Sequence, residues 1–104
     1  MKEYIPSKIQ KTCECYICHK SYTAGLDHHH AIGGRNRKKC DEYGLWVWLC
    51  RECHSKLHDK GEHEKELQAI AQQTFIADHK KQGYPEDVCR ELWLKEFGKF
   101  YFTE

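Results

Sequence analysis

Apolar positions follow different spacings along this chain, and each spacing predicts a different element. Leu45-Trp46-Val47-Trp48-Leu49 is a short β-prone run, which predicts a strand. From about Glu52 the pattern turns helical and continues through Asp59. Lys60-Gly61 ends that helix, with glycine at the C-cap position. Leu67, Ile70, Ala71, Thr74 and Phe75 fall at i, i+3, i+4, i+7 and i+8 and give a longer helix, about Glu62 to Lys81, one apolar stripe. Gly83-Tyr84-Pro85 stops it. Pro85 followed by Glu86-Asp87 suits the first turn of a last helix, because proline needs no N–H there and acids favour the N-terminus. Trp93, Phe97 and Phe100 line one face of that helix, and both C-terminal helices read as packing elements.

The first 44 residues are less patterned. Residues 1–12 form a short polar lead-in, and Cys13-Glu14-Cys15-Tyr16-Ile17-Cys18-His19-Lys20 has the turn-like spacing of a zinc knuckle. Ser21 to Leu26 reads as a short strand leading into Asp27-His28-His29-His30. Gly33-Gly34 breaks regular structure, and Arg35-Asn36-Arg37-Lys38-Lys39 reads as an exposed loop. There is no internal repeat and no low-complexity segment. The expected architecture is one small α+β domain over residues 1–104. It has a lead-in (1–12), a segment with the knuckles and a histidine cluster (13–60) and a helical tail (61–104).

Composition sharpens this picture. Seven cysteines and eight histidines among 104 residues point to metal, which small folds often use to supplement a modest core. No secretory signal is visible in Met1-Lys2-Glu3-Tyr4-Ile5-Pro6, and no apolar run is long enough to span a membrane. An odd cysteine count suits a disulfide framework poorly. The expectation is a cytoplasmic setting with zinc-bound thiolates and no membrane partner. The net charge is only +1, but residues 1–60 carry 11 Lys+Arg against 7 Asp+Glu, while residues 61–104 carry 6 against 9. A basic front half favours an anionic partner.

Two Cys-x-x-Cys pairs, Cys15/Cys18 and Cys50/Cys53, can each present two thiolates from a tight turn, and together they complete the tetrahedral shell of a structural Zn²⁺. The 31 residues between the pairs exceed the usual zinc-ribbon spacing, so a sizeable insert is expected between the knuckles. Cys13 is an alternative to Cys15, although the pair with two intervening residues is geometrically preferred. Cys40 and Cys89 have no partner motif and read as small buried residues. A second centre is expected around the histidines. His54 and His58 stand four apart on the predicted helix and so share one face. His54 follows Cys53 directly, so the second knuckle fixes where that helix begins, and Cys18 does the same for the segment entering Asp27.

These residues resemble the HNH, or ββα-metal, endonuclease family, and most closely small phage and prophage HNH proteins. The resemblance rests on His29-His30-Ala31-Ile32-Gly33-Gly34, on Asn36-Arg37-Lys38, on Tyr43-Gly44 and on Leu49-Cys50-Arg51-Glu52-Cys53-His54, which occur in the family's order over about residues 13–63. It departs from the family at Leu45, where the middle asparagine usually stands, and at Ala31, where a larger apolar residue is usual. Asn36, the only asparagine in the chain, takes a bracing role in the catalytic set.

The resemblance implies a DNA endonuclease that hydrolyses phosphodiester bonds. His30 would be the general base, histidine being suited to proton transfer near neutral pH. A catalytic divalent metal (Mg²⁺, Mn²⁺, Ni²⁺ or Zn²⁺) would be held by His29 and His54, with His58 or Asp27 as the third ligand and His63 as a ligand or a neighbour of one. Arg35, Arg37, Lys38 and Lys39 would hold DNA phosphates, contacts that position a nucleic acid without reading its sequence. Trp46 and Trp48 read as packing residues, and His19 and His79 as exposed or loosely packed. The competing expectations are a non-catalytic zinc-finger-like module that binds nucleic acid or protein, and an accessory nuclease of phage recombination or packaging that acts only beside a partner. A homodimer or a phage protein is the corresponding protein partner.

Overall fold

The computed structural model describes residues 5–21, 25–61 and 63–101. These form a small α+β fold with a two-stranded antiparallel sheet and four α-helices. In chain order the elements are β1 (Asp27–His30), α1 (Arg37–Tyr43), β2 (Trp46–Leu49), α2 (Arg51–Lys60), α3 (Glu64–Lys81) and α4 (Glu86–Phe97), with a 3-10 turn over Gly34–Asn36. No helix among the described residues is long and apolar enough to cross a membrane.

The sheet register positions the histidines. Asp27 pairs with Leu49, His28 with Trp48, His29 with Val47 and His30 with Trp46. Successive strand side chains point to opposite faces, so Asp27 and His29 share a face with Val47 and Leu49, both fully buried. His28 and His30 share the other face with Trp46 and Trp48. The His28 ring stacks on Trp46 at 4.2 Å between centroids, and the Trp46 indole donates to the Ile5 carbonyl at 2.9 Å. Trp46 therefore serves packing, and the half-buried Trp48 meets it edge to face at 4.9 Å.

Two expectations need correction. The strand before the second sheet partner is the histidine segment itself, Asp27–His30, while Gly25 and Leu26 are irregular. Residues 22–24 of the expected Ser21–Leu26 strand lie outside the described residues. The basic run, expected as a loop, is helical from Arg37 onward. It lacks an apolar stripe of its own because most of its surface faces solvent, and what anchors it is its far end, where Cys40 and Asp41 are buried. Gly44 ends α1 in left-handed backbone (φ 71). A Cβ at Gly44 would stand 2.6 Å from the Pro6 carbonyl oxygen, so only glycine lets the lead-in pack there.

Helix α2 begins where expected, and Gly61 (φ 69) caps it as the sequence implied. Helix α3 buries Leu67, Ala71, Gln72 and Phe75. Ile70 and Thr74 of the same stripe are half-buried. Helix α4 starts at Glu86 directly after Pro85 and buries Cys89, Trp93 and Phe97, while Phe100 lies beyond its end. Phe75 meets Trp93 edge to face at 5.3 Å, and Trp93 stacks on Phe97 at 4.1 Å. Tyr43 reaches this aromatic cluster from α1, 5.1 Å from Phe75. The Asn36 amide donates to the Phe97 carbonyl at 3.3 Å, and Lys39 pairs with Glu96 at 3.1 Å. The helical tail thus buttresses α1 from behind, and α1 in turn lies against the histidine strand.

Candidate metal centres

Three clusters of potential ligands gather around the sheet and the start of α2. The first is Cys15, Cys18, Cys50 and Cys53. Its knuckle is a backbone turn. The His19 N–H donates to the Cys15 carbonyl at 2.8 Å, with His19 in left-handed backbone (φ 64), and the Cys15 N–H donates to the Lys20 carbonyl at 3.1 Å. The second knuckle is the N-terminus of α2, where Cys50 Sγ accepts the Cys53 N–H at 3.4 Å. A helix N-terminus favours a thiolate.

The four thiols fit a metal. Sulfurs at about 2.3 Å from a tetrahedral ion stand about 3.8 Å apart, and Cys18 Sγ lies 3.9 Å from Cys50 Sγ. Without a cation such crowding opposes ionisation. Burial pushes the Cys53 thiol well up, and hydrogen bonds with Cys50, Cys15 and Cys18 push it further. A divalent ion at the centre reverses that penalty. Cys13 is exposed and outside the cluster. Cys40 and Cys89 are fully buried. Burial pushes the Cys40 thiol up to about 12, and both residues act as small core residues.

The second cluster is His29, His54 and His58, where β1 meets the exposed face of α2. His29 Nδ1 lies 3.3 Å from His54 Nε2, and His58 Nε2 lies 3.0 Å from the same nitrogen. Nitrogens bound to one tetrahedral ion at about 2.1 Å would be about 3.4 Å apart, so these three also fit an ion. Burial lowers His29 from 6.5 to about 4, with the neighbouring His54, His58, His30 and His28 adding to the effect. Its ring is therefore neutral at neutral pH, with a lone pair to offer.

Asp27 does not join this cluster. Its Oδ2 accepts from His54 Nδ1 at 3.0 Å. That hydrogen bond fixes the tautomer that turns His54 Nε2 toward His29 and His58, an arrangement common behind metal-bound histidine. His63 also lies outside the cluster. It precedes α3 in left-handed backbone (φ 64) and pairs with Glu66 at 3.2 Å.

The third cluster is His28, His30 and Asp41. Asp41 Oδ1 lies 2.7 Å from His28 Nε2 and 3.0 Å from His30 Nε2. Burial alone would raise the Asp41 carboxyl, but the hydrogen bonds from His28 and His30 outweigh it and hold the group below its usual value. With Nε2 donating to the carboxylate, a neutral His30 carries its lone pair on Nδ1. The sequence pattern gives His28 no separate role and does not point to Asp41. The signal for His28 was the strand alternation that pairs it with His30. Asp41 carries no local signal, because it reaches the histidines only once α1 folds back against β1.

One open cleft of about 240 Å³ is lined by His28, His29, His30, Gly33, Arg37, His54 and His58. It touches both histidine clusters. Of the basic residues, Arg35, Arg37 and Lys38 are exposed and Arg37 lines the cleft, whereas Lys39 is engaged with Glu96. Asn36 points its amide to the Phe97 carbonyl. Comparison with family models, curated proteins and solved structures returns no match.

Proposed function

We propose that this chain is a metal-dependent DNA endonuclease of the HNH, or ββα-metal, type, whose Cys15, Cys18, Cys50 and Cys53 hold a structural zinc. The observation that carries the reading is the convergence of His29 from β1 with His54 and His58 from α2, beside His30 in one open cleft. The paired strands β1 and β2, with α1 between them and α2 following, carry one candidate ligand on β1 and two on α2, which supports the same reading.

Phosphodiester hydrolysis needs a base for water, a cationic centre for the phosphate and the leaving oxygen, and groups that hold the substrate in line. His30 takes the proton from water at Nδ1, while Asp41 holds its other nitrogen. His29, His54 and His58 would hold a divalent ion that stabilises charge on the phosphate and the leaving oxygen. Three nitrogen ligands leave room for substrate, and an imidazole set favours transition metals over Mg²⁺. Asp27 orients His54. Arg37 at the cleft, with Arg35 and Lys38 nearby on the surface, binds backbone phosphates and so positions DNA without selecting sequence. Asn36 braces the basic segment against the helical tail.

The test is plasmid cleavage by untagged protein supplied in turn with Mg²⁺, Mn²⁺, Ni²⁺ and Zn²⁺, with the His30→Ala protein alongside. Metal-dependent nicking or linearisation, reduced about 10²–10⁴-fold in the variant, is expected for loss of a general base. Equal cleavage by the variant would remove His30 from the mechanism, and no cleavage with any metal would remove the reading of a nuclease that works alone.

A further inference from the structure

His28 and Asp41 have no ligand role in the proposed chemistry, yet they meet His30 in a compact donor set. Two imidazole nitrogens, His28 Nε2 and His30 Nε2, converge on one carboxylate oxygen at 2.7 and 3.0 Å. Adjacent ligands of an octahedral ion at about 2.1 Å stand about 3.0 Å apart, so the spacing is already that of two edges of one face. Two histidines and one carboxylate on a single face are a recurrent transition-metal set that leaves further positions open. The scaffold is rigid. His28 and His30 are alternate residues of one paired strand, and the His28 ring is stacked on Trp46. Asp41 is nearly fully buried on α1, which the Asn36–Phe97 and Lys39–Glu96 contacts fix to α4.

We propose that His28, His30 and Asp41 form a second histidine-rich metal site, one that takes a transition-metal dication such as Zn²⁺ and switches off the neighbouring reaction when filled. The first half of this statement stands on the donor geometry alone; the second rests on the nuclease reading. An ion bound at His30 Nε2 moves the ring proton to Nδ1, because a neutral imidazole has only one lone pair to give. Nδ1 is the atom that accepts the proton from water. A filled site therefore leaves His30 with no base, at no cost to the fold, and sets an upper limit to the metal concentration at which the nuclease works.

The experiment counts Zn²⁺ by equilibrium dialysis on the full chain already carrying zinc at its four cysteines, and measures plasmid cleavage across the same Zn²⁺ range in the presence of Mn²⁺. Wild type should bind two further equivalents. His28→Ala should weaken one of them by at least about tenfold, and Asp41→Asn should weaken the same one. His58→Ala should weaken the other. Circular dichroism checks that each variant keeps its helices, and two independent variants guard against the misfolding of either. Cleavage by wild type should fall as the weaker equivalent fills, and His28→Ala should resist that fall. A single further equivalent in wild type, unchanged by His28→Ala and Asp41→Asn, would overturn the site and leave a hydrogen-bonded carboxylate in its place. Two further equivalents with no cleavage by any protein would uphold the site and remove the nuclease. Cleavage without a Zn²⁺-dependent fall, the site being filled, would overturn the switch.

Discussion

The cysteine centre and the histidine centre lie one residue apart in sequence, at Cys53 and His54, yet they are built to different rules. Four sulfurs lie close enough to share one ion in the first, and backbone turns hold them. The His19 N–H donates to Cys15, and Cys50 caps α2 through its sulfur. Three nitrogens make the second, drawn from a strand and from the solvent side of a helix, and one side of it opens on a cleft lined by Arg37. A closed shell of thiolates is suited to fixing geometry, and an open shell of imidazoles to meeting a substrate. The adjacency teaches why both occur in so short a chain. The strands have only four residues each, too few to fix the histidine cluster by sheet pairing alone. A metal ion at the four cysteines would tie the knuckle to the start of α2, and so set the direction in which His54 and His58 face.

The largest effect should come from removing one of the four thiols. In the Cys50→Ser protein one zinc equivalent should be lost. Structural zinc sites of this type contribute on the order of 10–16 kcal/mol, so the fold around the sheet should go with it, read as loss of near-ultraviolet circular dichroism from Trp46 and Trp48. A native spectrum in that variant would show that the cysteines do not hold the fold. Next in size, His54→Ala should keep the spectrum and the cysteine-bound zinc while losing the histidine-bound metal and DNA cleavage together. Loss of the fold in this variant would erase the distinction between the two centres. Asp27→Asn acts one step further out, through the His54 tautomer. A drop of about 10–100-fold in metal affinity or cleavage is expected, measured by titration with the metal that supports activity.

How much of this was legible in the chain depends on the distance over which each feature is encoded. The cysteine pairs, the helix through His54 and His58 and its Gly61 cap are local spacings, and the sequence carries them plainly. The α3 stripe from Leu67 to Phe75 is equally local. Helix α1 was hidden, because Arg35, Arg37, Lys38 and Lys39 show no apolar period and its burial resides in Cys40, Asp41 and a contact from Tyr43 to Phe75. The clasp of Asp41 on His28 and His30 was hidden for the same reason. It spans 13 and 11 residues and exists only once α1 folds back against β1. Asp27 and His54 illustrate the opposite limit. Both were visible as ligand types, but only the folded geometry distinguishes a group facing the cluster from the carboxylate behind it.

The smallest effect concerns protons. In metal-free protein His29 is held at about 4 instead of 6.5, first by burial and then by its histidine neighbours. Above 6.5 the ring is neutral in both folded and unfolded chains. Between 6.5 and about 4 the unfolded chain binds a proton that the folded chain refuses, so stability falls as pH falls through that window. Thermal unfolding of the metal-free chain should show this slope, and His29→Ala should flatten it. An unchanged slope would place the effect on other groups.

The most direct measurement removes one metal and spares the other. Protein with zinc at its cysteines and Mn²⁺ supplied to its histidines is dialysed against a chelator mild enough to leave the thiolate site intact, and metal content, circular dichroism and plasmid cleavage are followed on the same sample. The expected result is a retained fold with one retained zinc, no cleavage, and recovery of cleavage when a divalent ion is returned. Cleavage that persists after the histidine-bound metal has gone, or that does not return with it, would contradict a division of labour between a structural and a catalytic centre.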